Sequence, residues 1–226
     1  MSFSKDITQR VVEELLPLGN RQRANGARAY MKDIAPFIGV DTPTRRKVIK
    51  SISKEFAAPS SEQLGLAARS LWRLDQREYQ YAANDLIDIF IDYADKDFLK
   101  KHVEYLLTHK SWWDTVDGLG SVAISPLTVK FNSIALMKKW NKSENIWLNR
   151  AALQHQRGRK YETDIPLLLS FCHDHANDPR FWNAKAIGWA LRDLARIDRK
   201  SVDAFLREHP NLNSVAVREA NKHKSR

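Results

Sequence analysis

Residues 145–153 read NIWLNRAAL, and two of them decide the fold: Trp147 and, four positions on, Ala151. An aromatic residue followed at i+4 by a small one places both on one helix face, where the small side chain lets a neighbouring helix approach. The pairing recurs along the chain. Tyr79, Trp113, Trp147 and Trp182 stand 34, 34 and 35 residues apart, and their i+4 partners are Ala83, Asp117, Ala151 and Ala186. The same step back from Tyr79 lands in TPTRRKVIKSI, residues 42–52, another helical pattern. Periods of this size mark helix pairs that stack on a shared core. The Trp-Leu-Gly-Tyr consensus of tetratricopeptide repeats is absent, which leaves a degenerate HEAT-like array.

Helical periodicity extends over nearly the whole chain. Ile7, Val11, Val12, Leu15 and Leu16 recur at steps of three and four within 5–16. Thr42-Pro43 reads as an N-cap with proline at the first helical position, opening a helix toward Phe56. Another begins at Ser60 or Ser61, and a long one runs from Gln76 to Tyr93. Further patterns cover 97–108, 111–117, 131–140, 144–156, 164–175, 178–196, 200–207 and 212–222. No period-2 strand stands out. The expected class is all-α, with residues 1–226 forming a single HEAT-like repeat domain.

The 226 residues are 43% hydrophobic and 28% charged, the composition of a soluble globular protein. No apolar run reaches the roughly 18 residues of a membrane span. The N-terminal MSFSKDITQRVVEELL has an acid-bearing amphipathic pattern rather than a signal peptide. A single cysteine, Cys172, excludes an internal disulfide framework and fits a reducing cytoplasm. The net charge of +10 is the first functional hint, since such a field attracts polyanions, nucleic acid first among them.

The repeat directs attention to SWWDTVDG, residues 111–118. Where the other copies carry alanine, this one carries Asp117. A carboxylate in a slot otherwise kept small needs a partner or a role. Trp113 and Asp117 share a helix face, Trp112 and Val116 the adjacent one, which reads as core. Asp114 points further round and reads as structural or solvated. Trp147 lies i, i+3 from Arg150, Trp189 i, i+3 from Arg192, and Lys185 i, i+4 from Trp189. If equivalent helices line one wall, tryptophan faces, basic groups and one acid meet on a concave surface. That suits nucleic acid, because cations bind phosphates while aromatic faces stack on bases or pack on sugars. At the repeat position Trp147 and Trp182 read as core rather than ligand, and Trp113 shares their register. Trp189 lies outside it. Further basic residues gather at Arg45, Arg46, Lys47, Arg157, Arg159 and Lys160, and along 192–226. Cys172-His173-Asp174-His175 looks metal-like, but neighbours at i+1 and i+2 do not share a helix face. Glu13, Glu14 and the acids of 85–92 read as solvated. Gly118 and Gly120 read as a helix C-cap that places Asp117 at an exposed helix end.

Taken in order, ARAYMK (27–32), FIGVDTPTRR (37–46), SWWDTVDG, NIWLNRAAL and KAIGWALRD (185–193) resemble the AlkD-type DNA alkylation-repair glycosylases, over most of the chain. The resemblance implies a right-handed solenoid of HEAT-like antiparallel helix pairs with a basic concave face for duplex DNA. It implies hydrolysis of the N-glycosidic bond of cationic alkylated purines, chiefly 3-methyladenine and 7-methylguanine, without flipping the damaged base. By motif, Asp117 matches the family's catalytic acid, and Trp113 and Trp189 match tryptophans that pack on the lesion's deoxyribose. Arg150 matches an essential arginine, expected on a phosphate, and Tyr30 a tyrosine near the lesion. Lys185, Arg192, Arg45 and Arg46 are the further candidate DNA contacts. No lysine nucleophile lies in the matched motifs, so the expectation is a monofunctional enzyme without metal or cofactor, working as a monomer. A non-catalytic DNA-binding module and a protein-binding scaffold are the alternatives.

Overall fold

The computed structural model describes residues 3–222. Among these residues every regular element is a helix and no strand occurs, consistent with an α-helical repeat fold. The backbone divides into two compact units, residues 1–111 and 112–226. No helix among the described residues is long and apolar enough to cross a membrane. The last four residues of the basic C-terminal segment, 223–226, and the first two residues of the chain lie outside the described residues.

The first unit runs through α1 (Phe3–Leu15), α2 (Arg21–Tyr30), α3 (Thr42–Ser53), α4 (Ser61–Arg73), α5 (Arg77–Phe90) and α6 (Glu104–Thr108). A π-helical turn at Leu99–Val103 leads into α6. In α1 the steps of four at Ile7, Val11 and Leu15 give one buried stripe, which packs on α3 and α4. Leu64, Ala67, Ala68 and Leu71 of α4 are buried, as are Ala82, Ala83 and Leu86 of α5, and α4 packs on both α1 and α5. Burial of each large aliphatic side chain is worth about 2 kcal/mol, so these stripes hold the helices together far more strongly than helix propensity does.

The second unit runs through α7 (Trp113–Leu119), α8 (Ser125–Lys130), α9 (Ile134–Asn141), α10 (Ile146–Leu153), α11 (Ile165–Asp174), α12 (Phe181–Leu194), α13 (Arg199–Glu208) and α14 (Ser214–Ala220). Its buried residues include Val116, Leu119, Ile124, Met137, Trp140, Phe171, Ile187, Leu191 and Phe205. Helix α10 packs on α7, α9 and α12, and α12 packs extensively on α14. The α12–α14 contact is close because residue 188 is glycine. A Cβ at Gly188 would stand 2.6 Å from the Glu219 Cβ and 2.7 Å from the Ala216 carbonyl oxygen.

Seven helix starts among the described residues carry a polar cap. Asn20, Asp41, Ser60, Asn145, Asp164, Asp198 and Asn213 each accept a backbone N–H from the first turn of the helix that follows. Each such cap contributes about 1 kcal/mol. Ser60 forms a full capping box with Gln63. The cap before Pro43 is Asp41 rather than Thr42, because the Asp41 carboxylate reaches the Thr44 N–H at 2.9 Å and leaves Thr42 as the first helical residue.

Side-chain bonds recur at about one repeat of separation. Ser61 Oγ accepts the Asp95 N–H 34 residues on, and Asn183 donates to the Asn149 Oδ1 34 residues back. Asn141 donates to Asp174, and Arg77 donates to the Lys110 carbonyl, each across 33 residues. The alanines of the register, Ala83, Ala151 and Ala186, are all buried, as a close neighbouring helix requires. Of the four aromatics only Tyr79 is equally buried; Trp113, Trp147 and Trp182 are half-buried.

Three local expectations change. Helix α2 arises where no apolar pattern announces one. Gly118 and Gly120 do not end a helix: α7 continues through a π-helical turn at Gly120–Ile124 straight into α8. Asp85 is not solvated, being buried beneath Arg45 at 2.7 Å.

Candidate active site

Four elements of the second unit build the site. Trp112 has extended backbone angles and is the N-cap of α7, so it stands outside the helix and does not share a face with Val116. Val116 is core, while Trp112 is half-buried in a cluster of rings. Its ring lies 5.8 Å from Trp147 and 5.5 Å from Trp182. Trp113 opens α7 and stacks on Trp182 at 6.4 Å, with 24° between the planes. One turn along α7 comes Asp117.

Asp117 is gripped by Arg150. Arg150 Nε donates to Oδ1 and Nη2 to Oδ2, both at 2.8 Å, a parallel two-point pair. The remaining terminal nitrogen, Nη1, donates to the Trp182 carbonyl at 2.9 Å. The Arg150 side chain is 0% exposed, whereas Asp117 keeps 13% of its side-chain surface. The arginine expected on a phosphate is therefore sealed, and its fork orients a carboxylate. The reason is local: α10 packs directly on α7 and α12, so Arg150 emerges between them rather than into solvent. A carboxylate offers about four lone-pair directions. Arg150 takes two, and Gln154 Nε2 approaches Oδ1 only at 3.4 Å. Asp117 thus retains acceptor capacity toward a small crevice lined with Gly120, Gln154 and Arg157.

Helix α12 supplies the second wall. Trp182, Lys185, Trp189 and Arg192 follow at steps of three and four along one face. The Trp189 ring is surrounded by cations: Arg150 at 5.1 Å, Arg157 at 5.4 Å, Lys185 at 5.6 Å and Arg192 at 5.6 Å from its centre. Glu219 of α14 fixes the ring edge, accepting from Trp189 Nε1 at 3.2 Å and from Arg192 Nη1 at 2.8 Å. Arg192 is accordingly only 18% exposed at its side chain and already paired, unlike the open phosphate contact expected of it. Lys185 and Arg157 have no carboxylate partner among the described residues.

The structure thus joins Asp117, Arg150, Trp189 and Lys185 in one site, with Trp113 linked to it through Trp182. Tyr30, Arg45 and Arg46 belong to the first unit. Tyr30 ends α2 and is 71% exposed. Arg45 is buried, donates to Asp85 and lies 5.1 Å over the Tyr81 ring, so it holds α3 to α5 instead of facing a ligand. Arg46 is exposed and touches Asp85 at 3.4 Å. Gln154 and Glu219 are absent from the sequence-based set. Gln154 sits four residues after Arg150, a spacing that does point to a shared face; nothing in the sequence pairs Glu219 with Trp189.

The Cys172–His175 run diverges in space. Cys172 is buried, which pushes its thiol up to about 12. His175 bonds to Asn141, and Asp174 accepts from the Asn141 amide. No group of three or more His, Cys, Asp and Glu residues among those described is arranged to hold a metal ion.

Comparison with known proteins bears on the fold and the family. No curated protein matches the chain. A solved structure, a predicted DNA alkylation repair enzyme from Enterococcus faecalis, is similar at 26% identity, covering 92% of this chain and 97% of that one, with a TM-score of 0.80. The model of the DNA alkylation repair enzyme family matches residues 11–223. The chain belongs to the DNA alkylation repair enzyme family.

Proposed function

We propose that this protein is a monofunctional DNA N-glycosylase that hydrolyses the N-glycosidic bond of cationic alkylated purines, 3-methyladenine and 7-methylguanine, in duplex DNA. The observation that carries the reading is the Asp117 carboxylate, held at two points by a buried arginine and open on one side beside tryptophan faces. An alkylated purine already bears positive charge and leaves without further protonation. The transition state moves positive charge onto the sugar. A carboxylate fixed beforehand stabilises that charge without reorganising, and it orients or deprotonates the attacking water. The negative face of Trp113 favours the same cationic sugar, and Trp189 packs on the deoxyribose beside it. Arg150 acts as a positioning residue. Lys185 and Arg157, which have no carboxylate partner among the described residues, serve the DNA backbone, with Arg46 and Tyr30 contributing from the first unit.

In this reading the lesion base stays in the duplex, and the chain acts as a monomeric HEAT-like repeat domain in the cytoplasm, without a cofactor. The test is mass analysis of bases released from methylated duplex. Asp117→Asn should release 7-methylguanine at least about tenfold more slowly than wild type while keeping DNA affinity, the scale of an acid–base contribution. Undiminished release would remove Asp117 from the mechanism. Duplex binding without any released base would favour the non-catalytic binding module instead.

A further inference from the structure

The loop QRGRKYET, residues 156–163, joins α10 to α11 and is held with unusual care for a surface segment. Gln156 is buried, and its amide donates to the Asp164 carbonyl at 3.0 Å and accepts the Asp164 N–H at 2.7 Å, closing the loop at its neck. Ser125 Oγ of α8 donates to the Arg157 carbonyl at 3.1 Å, and Arg159 Nη2 donates to the Thr128 hydroxyl at 2.7 Å. Gly158 and Lys160 turn the chain at φ +82 and +52. All this anchoring presents a tyrosine to solvent: Tyr161 is 87% exposed.

Between the loop and the end of α12 lies a cavity of about 500 Å³, with Arg157, Lys160, Tyr161, Trp189, Asp193 and Arg196 in its walls. It shares Gln154 and Arg157 with the crevice at Asp117. Lys160 and Arg157 have no carboxylate partner among the described residues, and Arg196 reaches Asp193 only at 4.0 Å. The volume lies within the roughly 300–1,000 Å³ of small-ligand pockets, enough for one nucleotide and far too little for a duplex. The excess of cations disfavours a positively charged methylated base. It suits a phosphate, and the two aromatic walls suit an uncharged base.

We propose that this pocket receives one unpaired nucleotide of the DNA other than the lesion, its base against Tyr161 and Trp189 and its phosphate on Lys160, Arg157 and Arg196. The inference rests on the glycosylase reading for its location beside the reacting sugar. Its test uses unmethylated DNA, so its outcome is separate from base release. Binding of the full chain to a duplex bearing one unpaired 2-aminopurine is compared with binding to the fully paired duplex, alongside 2-aminopurine fluorescence. Wild type should prefer the bulged duplex at least about fivefold and quench the probe, the effect of stacking one base on an aromatic ring. Tyr161→Ala should abolish both preference and quenching while keeping affinity for paired DNA. Lys160→Gln should lower affinity for the bulged duplex and reduce its salt slope by about one. Equal affinity for the two duplexes overturns the proposal, as does a preference that survives Tyr161→Ala. Competition by inorganic phosphate as effective as by dAMP also overturns it, because the base would then not be recognised.

Discussion

Breaking the Asp117–Arg150 pair from either side should destabilise the second unit, and breaking it from both sides should cost little more than breaking it once. Arg150→Met removes two bonds to the carboxylate and one to the Trp182 carbonyl. Asp117 is then left without its cation, but its 13% exposure admits some water. The expected loss is about 3 kcal/mol, the low end for severing a buried pair. Asp117→Asn is as damaging for a different reason. The amide offers one acceptor and one donor to a fork that needs two acceptors, and Arg150, 0% exposed, has no water to turn to. That loss is also about 3 kcal/mol. In the double variant a neutral amide meets a thioether and no buried charge remains, so the total should stay near 3–4 kcal/mol and the coupling energy should reach about 2–3 kcal/mol. Urea unfolding followed by tryptophan fluorescence measures this, because six of the seven tryptophans lie in the second unit. Each single variant should move the midpoint by about 1 M. Additivity within about 0.5 kcal/mol would show that the pair is not a unit and refute the positioning argument. The result also bears on catalysis, since slow base release by Asp117→Asn has to be read beside its unfolding curve.

Three further outcomes are expected. Trp189→Ala should lower base release more than tenfold if the ring faces the cationic sugar, whereas Glu219→Gln, which removes only the charge that fixes the ring edge, should have a smaller effect; single-turnover rates separate the two. Gly188→Ala should destabilise by about 1–3 kcal/mol by overpacking the α12–α14 contact, while Gly120→Ala, whose Cβ would meet nothing within 4 Å, should be neutral or stabilising by up to about 1 kcal/mol; thermal melts of the two variants check both. Burial holds the His155 imidazole down at about 4, against 6.5 when unfolded. Its contribution to stability is therefore complete above pH 6.5 and is lost as the pH falls toward 4, by about 3 kcal/mol in all. Urea midpoints between pH 7 and pH 4 should show this decline, reduced in His155→Phe.

The sequence carries its structure unevenly, for physical reasons. Helices with an apolar stripe and a polar cap are legible, as at Ile7, Val11 and Leu15 or at Ser60 and Gln63. Helix α2 is not, because RQRANGARAY buries only Ala24 and has no stripe to find. Gly118 and Gly120 mislead because glycine usually signals a stop, while here the backbone widens into a π-turn at Gly120–Ile124 and carries on. The candidate site residues Asp117, Arg150 and Trp189 stand out through register and motif. Their relations do not. Charge in a sequence suggests surface, yet Arg45 and Arg150 are buried by partners 40 and 33 residues away. Such pairings depend on how neighbouring repeats stack, and spacing along one helix contains no record of that.

The contact between Gly188 and α14 bears on how the protein is made. Glu219 holds the edge of Trp189 and the head of Arg192, so these two bonds form only once the chain has been synthesised at least to Ala220. A ribosome-bound chain can already carry Asp117 and Arg150 while lacking a fixed Trp189. A chain that stops before α14 keeps the Asp117–Arg150 pair and the Trp189 ring, and loses the carboxylate that holds the edge of that ring.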